Sequence, residues 1–214
     1  SHTEIAQTAK DFGKAVYTAH EAGFDSVEVH AGHGYLISQF LSPWTNRRRD
    51  EFGGSLENRM RFMKMCLTEV MEAAAKCNMA VLVKHNMEDG FKSGIQIPES
   101  LEIAKEMAVM RGRIPTKTMS YYMGWNEWLQ KIVVDLFGKW LITDYEFEEC
   151  FFLENAKKFR AELKGPLVYV GGLVSREGIE KVLDEGFEMV QMARALVNDP
   201  AFVNTLKEGD FTSC

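Results

Sequence analysis

Two imidazoles and a phenol crowd one short stretch of the chain. His30, His33 and Tyr35 lie within Val27-Glu28-Val29-His30-Ala31-Gly32-His33-Gly34-Tyr35-Leu36. Val27 and Val29 alternating with Glu28 read as a short strand. Gly32 and Gly34 then turn the chain, because glycine reaches backbone angles closed to other residues. The polar groups therefore fall just past the C-terminal end of a strand, where α/β proteins bind their ligands. Within a tight turn all three side chains can face one small pocket. Convergent polar groups at such a place suit hydrogen bonding and proton transfer to a small molecule. Metal ligation is a second chemistry open to an imidazole pair, but no carboxylate or cysteine joins the two at ligand spacing. The plain alternative is a pair of histidines that only satisfies local structure.

The same residues open a longer pattern. Ala22 to Leu36 reads Ala-Gly-Phe-Asp-Ser-Val-Glu-Val-His-Ala-Gly-His-Gly-Tyr-Leu and continues Ile-Ser-Gln-Phe-Leu-Ser-Pro. Asn46-Arg47-Arg48-Arg49-Asp50 and Gly53-Gly54-Ser55-Leu56-Glu57-Asn58-Arg59 follow. The pattern resumes from Val81 to Gly90 and from Val168 to Pro200. It resembles the old yellow enzyme family of FMN-dependent ene-reductases and NADH:flavin oxidoreductases. The resemblance implies a (β/α)8 TIM barrel with FMN at the C-terminal face of its strands and NAD(P)H as the reductant. It implies that His30 and His33 hydrogen-bond the carbonyl oxygen of an activated alkene, an enone or dienoyl-type substrate, and that Tyr35 protonates it as general acid.

Lys84 closes a strand; alone it reads as a solvated strand-end lysine, and the resemblance puts it beside the flavin's N1 and C2 oxygen. Gly171-Gly172 follow one strand and Ala193-Arg194 the next. Small residues let backbone N–H groups approach a phosphate, and arginine adds a permanent forked charge. Gly-Gly after a strand is equally an ordinary turn. With the resemblance these four residues become the FMN phosphate site.

The chain has 214 residues, 46% of them hydrophobic, and a net charge of -6. That is enough for one domain with one core. The acidic balance gives no electrostatic argument for nucleic acid or an anionic membrane, and the run Arg47 to Arg49 is too short to change that. No apolar stretch approaches the ~20 residues of a membrane span, and no secretory leader opens the chain. Cys66, Cys77, Cys150 and Cys214 are scattered, which fits free thiols in a reducing, cytoplasmic setting. A cluster such as iron–sulfur needs about four thiolates, so Cys214 alone predicts none.

The positioning elements follow from periodicity. Helices are expected over Thr3 to Ala22 with Thr3 as N-cap, over Ser55 to Lys76, from Pro98 to about Met107, over Phe147 to Leu163, and from an N-cap at Ser175 to Glu185. A final helix starts near Pro200. Met60, Met63, Leu67, Val70 and Met71 form the apolar face of the second helix. Strands are expected at Phe24 to His30, Met79 to Lys84, Pro166 to Gly171 and Met189 to Met192. Leu36 to Gly54 reads as a long loop. No buried strand is evident between Lys105 and Lys131, which predicts residues absent around Glu106 to Met110. Residues 111–146, with Trp125, Trp128 and Trp140, read as a helical, aromatic-rich insertion.

Strand and helix in succession argue α/β with a parallel sheet. A full barrel takes ~250 residues. The chain is therefore expected to carry about the last five βα units of a single partial barrel, lacking roughly the first three strands. Its open sheet edges predict pairing with a second copy, and its incomplete flavin site predicts weak FMN binding or none. Two alternatives remain: a flavin-free, metal-dependent TIM-barrel hydrolase or isomerase, and a non-catalytic interaction domain.

Overall fold

Helix α1 (His2–Glu21) lays Ile5, Ala9, Gly13 and Val16 on one buried stripe. Its cap is Ser1 rather than Thr3. The Ser1 hydroxyl accepts the Glu4 N–H at 3.3 Å, and Glu4 reaches back to the Ser1 amine. This reciprocal box satisfies donors that the first turn leaves unpaired. A computed structural model of the chain describes residues 1–109, 114–115 and 147–208.

Among the described residues five strands alternate with the helices, and every pair they form is parallel. β1 (Ser26–Ala31) pairs with β2 (Ala80–His85), with His30 opposite Lys84 and Ala31 opposite His85. Both strands run one residue past their predicted ends, because the ladder continues through the Ala31–His85 pair. One face of this pair buries Val29, Ala31, Val81, Val83 and His85. The other carries Glu28, His30, Leu82 and Lys84, none fully buried.

Helix α3 (Leu56–Cys77) closes over the buried face with Met60, Met63, Leu67 and Val70, as its spacing predicts, and packs along α1. The Ser55 hydroxyl caps it by accepting the Asn58 N–H. The connection before it is not all loop. Leu36–Leu41 forms a short helix, α2, whose Ile37, Ser38 and Leu41 are buried. The polar residues behind α2 hide it from a reading by periodicity. They staple the loop instead: the Asn46 amide donates to the Phe40 and Phe52 carbonyls at 2.7 and 2.8 Å. Arg59 is buried and donates to the carbonyls of Leu41 and Gly54 while pairing with Glu99. It joins α2, the head of α3 and helix α4 (Ile97–Val109).

Helix α4 continues to Val109. A strand then does exist where none was expected: β3, only Ile114–Pro115, pairs in parallel with β4 (Leu167–Val170). Two residues leave no alternation to read, and proline has no N–H for the ladder. The stretch expected to be a helical insertion from residue 111 thus contains a strand. Its aromatic segment, Tyr121 to Trp140, lies outside the described residues, as does Cys214.

β4 pairs onward with β5 (Met189–Gln191). β3 lies beside β2, so the strands follow one another in chain order with a break in the ladder between the two sheets. Helix α5 (Leu153–Glu162) starts six residues later than predicted. Before it, Cys150 sits at φ 61 and the Glu149 carboxylate leaves the segment to accept the N–H groups of Val174 and Ser175, both at 2.8 Å. Helix α6 (Arg176–Asp184) has its expected Ser175 cap, accepting the Gly178 N–H at 3.0 Å. Short helices α7 (Arg194–Asn198) and α8 (Phe202–Glu208) follow β5. Parallel strands with helices between them make this a partial (β/α) barrel. Cys66 and Cys150 are buried free thiols. Among the described residues no helix is long and apolar enough to cross a membrane.

Candidate active site

The turn after β1 is held from the neighbouring strand. A Cβ on Gly32 would lie 2.7 Å from the Asn86 Oδ1, so a side chain there would push the Asn86 carboxamide aside. The same oxygen accepts the His33 N–H at 3.1 Å. His33 and Gly34 then take left-handed angles, φ 56 and φ 74. For a non-glycine residue that conformation costs on the order of 1–3 kcal/mol and persists only where surrounding contacts fix it. Those contacts are present: the Gly34 N–H reaches the Ser38 hydroxyl at 2.9 Å, and the Tyr35 N–H reaches the Gly32 carbonyl at 3.1 Å.

Within this turn the two imidazoles meet. His30 Nε2 and His33 Nδ1 are 2.8 Å apart, with the rings nearly perpendicular. The Gly32 N–H points at His30 Nδ1 at 3.2 Å. That contact makes Nδ1 an acceptor, so the neutral His30 ring carries its hydrogen on Nε2. His30 Nε2–H therefore donates to His33 Nδ1, and His33 must carry its own hydrogen on Nε2. That atom is buried and has no hydrogen-bond partner among the described residues.

Both rings are held neutral. Burial pushes His33 down to about 4, helped by His30 and then Lys84. Burial first, and then the charge of Lys84, lowers His30 too, while Glu28 opposes them. One point departs from the sequence expectation of a two-histidine clamp. Both His30 nitrogens are engaged within the turn, so His33 alone offers an N–H to a ligand. The same arrangement disfavours a metal on the pair, since three of the four ring nitrogens are already used.

Tyr35 lies against this pair, its ring centroid 4.7 Å from that of His30, and the residue is 54% exposed. The turn thus brings His30, His33 and Tyr35 together, as their spacing predicts. Lys84 stands one residue before the end of its strand, and its ammonium sits 3.7 Å from the Glu28 carboxylate on the His30 face of the sheet.

A second group of sequence-predicted residues gathers at the ends of β4 and β5. The two strands pair through Val170 and Gln191, so Gly171-Gly172 and Ala193-Arg194 leave adjacent strand ends. Gly171 has φ 138 and Gly172 φ 65, and a Cβ on either would meet the ring of Phe152 or Phe151 at 2.5 Å. Any side chain here would be strained and would strike these rings, which keeps both positions for glycine. Arg194 is exposed at the head of α7.

The sequence reading missed three residues behind the first group. His85 is 2% exposed, and its Nε2 is 2.8 Å from the Ser100 hydroxyl. Ser100 donates to the Asn86 carbonyl at 2.6 Å. The available signal was a polar His-Asn pair ending an otherwise apolar strand.

Comparison with known proteins gives these geometries a context. The sequence model of the NADH:flavin oxidoreductase / NADH oxidase family matches residues 1–212. The chain is 36% identical over 222 residues to a 4,4'-dithiodibutanoate disulfide reductase of Rhodococcus erythropolis, covering 94% of this chain and 54% of that protein. It is 29% identical to an NADPH dehydrogenase of Bacillus subtilis, covering 96% of this chain and 55% of that one. The chain thus spans about half the length of these curated relatives. Among solved structures it superposes on a 2-naphthoyl-CoA reductase with a TM-score of 0.82 at 26% identity, over 98% of this chain and 30% of the other. An old yellow enzyme homologue from Zymomonas mobilis shares the fold, with a TM-score of 0.72 at 22% identity over 100% of this chain and 55% of its own. A family match across nearly the whole chain, on a partial barrel with the His-His-Tyr turn at the end of β1, makes this chain a member of the NADH:flavin oxidoreductase / NADH oxidase family.

Proposed function

We propose that the protein containing this chain is an FMN-dependent oxidoreductase that passes hydride from NAD(P)H to an activated alkene, such as an enone or dienoyl compound. The observation that carries this reading is the buried His33 Nε2–H, without a partner among the described residues, beside the half-exposed Tyr35. A carbonyl oxygen is the acceptor that such a donor lacks.

The residues present fit a flavin mononucleotide. Gly171 and Gly172 follow one strand without side chains, Arg194 follows the adjacent strand, and Lys84 lies on the same sheet face as His30. Gly171, Gly172, Ala193 and Arg194 would hold the phosphate, with Lys84 nearer the ring. When bound, FMN supplies a hydride acceptor for reduced pyridine nucleotide and a hydride donor for substrate.

His33 binds the substrate oxygen through Nε2–H and draws charge toward it as the β-carbon is reduced. His30 keeps that donor aimed, because its own Nε2–H fixes the His33 tautomer. Tyr35 gives its phenolic proton to the α-carbon, and solvent restores it. The alkene gains one hydride and one proton, and no other reactant is needed. Among the described residues β1 and β5 each pair on one side only, and a second copy of the chain would cover those edges.

A disulfide substrate is the second reading, favoured by the 36% identity to a disulfide reductase. Hydride would then cleave the S–S bond to a thiol and a thiolate, and Tyr35 would protonate the thiolate. One experiment separates the readings: anaerobic turnover of the full-length protein against cyclic enones, enoyl thioesters and 4,4'-dithiodibutanoate. Tyr35→Phe should slow substrate reduction about 100-fold while sparing bleaching of the flavin band by NAD(P)H. A Tyr35→Phe protein with both half-reactions at wild-type rates would end the assigned role, and a colourless, metal-loaded protein would end the whole reading.

A further inference from the structure

Asn86 stands behind the pair of histidines without touching either ring. It is 6% exposed and follows directly on β2, one residue beyond the Ala31–His85 pair. Its side chain crosses to the neighbouring strand's turn. There the carboxamide oxygen accepts the His33 N–H at 3.1 Å and sits 2.7 Å from where a Cβ on Gly32 would lie. An amide nitrogen in that position would oppose the N–H, so the oxygen is the atom turned toward His33.

Asn86 is itself fixed. Its carbonyl accepts the Ser100 hydroxyl at 2.6 Å, and Ser100 oxygen takes up His85 Nε2 at 2.8 Å. Ser100 is buried on α4, so Asn86 ties the turn to β2 and α4 in addition to the turn's own contacts with Ser38 and Gly32. The consequence lies at His33. With φ at 56, its backbone is in a strained conformation, and the Asn86 oxygen is the acceptor of its own amide. The 2.8 Å contact to His30 depends on that backbone, and so does the single tautomer that places a hydrogen on Nε2.

We propose that Asn86 is a positioning residue, whose carboxamide oxygen grips the His33 amide and thereby aims the His33 Nε2–H at the substrate oxygen. This rests on the function proposed above, in which His33 is the sole imidazole donor to substrate. The requirement is for an acceptor of the right reach, not for an amide.

Full-length Asn86→Leu and Asn86→Asp decide the matter. Leucine keeps volume and removes the acceptor; aspartate keeps the acceptor. The first readout is the ring ¹⁵N spectrum of His33 in the protein without substrate. Wild type and Asn86→Asp should show one protonated and one bare nitrogen, and Asn86→Leu an averaged pair. The second is kcat/KM for the best substrate of the panel at pH 7.5. Asn86→Leu should lose about 10- to 100-fold, the scale of a misplacement near 1 Å, and Asn86→Asp should keep most of the activity. Should Asn86→Leu fail to fold, Asn86→Ser, too short to reach the His33 amide, takes its place with the same expectations. Equal losses in the leucine and aspartate proteins, or an unchanged His33 tautomer in the leucine protein, would overturn the proposal. A protein that reduces nothing in the panel counts against the proposed function alone, since the tautomer still reads Asn86.

Discussion

His85 lets the acid side of the stability curve be worked out in advance. The ring lies on the buried face of β2, 2% exposed, with Ser100 at its Nε2. Burial pushes it from its ordinary 6.5 down to about 4. An unfolded chain therefore takes up a proton on this ring near pH 6.5, while the folded chain resists until about 4. Between those values the unfolded state binds more protons, so stability rises with pH across the window. The contribution is whole above the unfolded value and drains away as pH falls toward the folded one. A gap of about 2.5 pH units at roughly 1.36 kcal/mol each makes it about 3 kcal/mol. His85→Gln keeps an N–H for Ser100 and removes the titration. Urea unfolding of both full-length proteins, followed by circular dichroism at several values from pH 7.5 to 4, measures the difference. Carboxylates that titrate in both proteins cancel. The variant should start less stable and lose about 3 kcal/mol less than wild type on the way to pH 4. Parallel curves would show that the folded ring protonates as easily as the unfolded one, and the burial argument would fall.

The other predictions concern the site itself. His33 works as a neutral ring, and burial beside His30 and Lys84 holds it so down to about 4; its own titration should leave kcat/KM level from pH 7 to about 5 and depress it only as pH approaches 4. A wild-type acid limb near pH 6.5 that vanishes in His33→Gln would contradict this. Arg194→Gln should weaken FMN binding about 10- to 100-fold, as expected for one charge-assisted contact, measured by quenching of free FMN fluorescence as full-length apoprotein is titrated in. Unchanged affinity would move the phosphate away from the β5 end.

Much of the fold was legible because its signals are local. The apolar stripe of α3 repeats at helical spacing and lies where that spacing puts it, on the core side. Ser175 and Ser55 cap the helices they precede, since a hydroxyl at that position answers donors a few residues away. The departures are equally physical. Ser1 displaces Thr3 as the cap because Glu4 completes a reciprocal pair with it. The start of α5 slips to Leu153 because Glu149 bonds across space to the head of α6, a partner 25 residues away in sequence. β3 is two residues long and half proline, so its identity comes wholly from β4 beside it.

The candidate site divides along the same line. His30, His33 and Tyr35 share six residues, and two glycines among them announce a turn, so their convergence could be read from spacing. What each nitrogen does could not. The direction of the histidine pair depends on one backbone N–H, that of Gly32, which turns His30 from a second donor into a relay. The backbone of the next residue, His33, is gripped in turn by Asn86, 53 residues away and brought near by the β1–β2 register. Lys84 shows the converse. Its strand-end position suggested a free cation, but the register sets its β1 neighbours on the same face and Glu28 reaches it. Residue types at a strand end thus define which chemistry is available, and the neighbouring strand decides which atoms are left to perform it. In this site that leaves one imidazole N–H, and the Tyr35 ring beside its partner histidine.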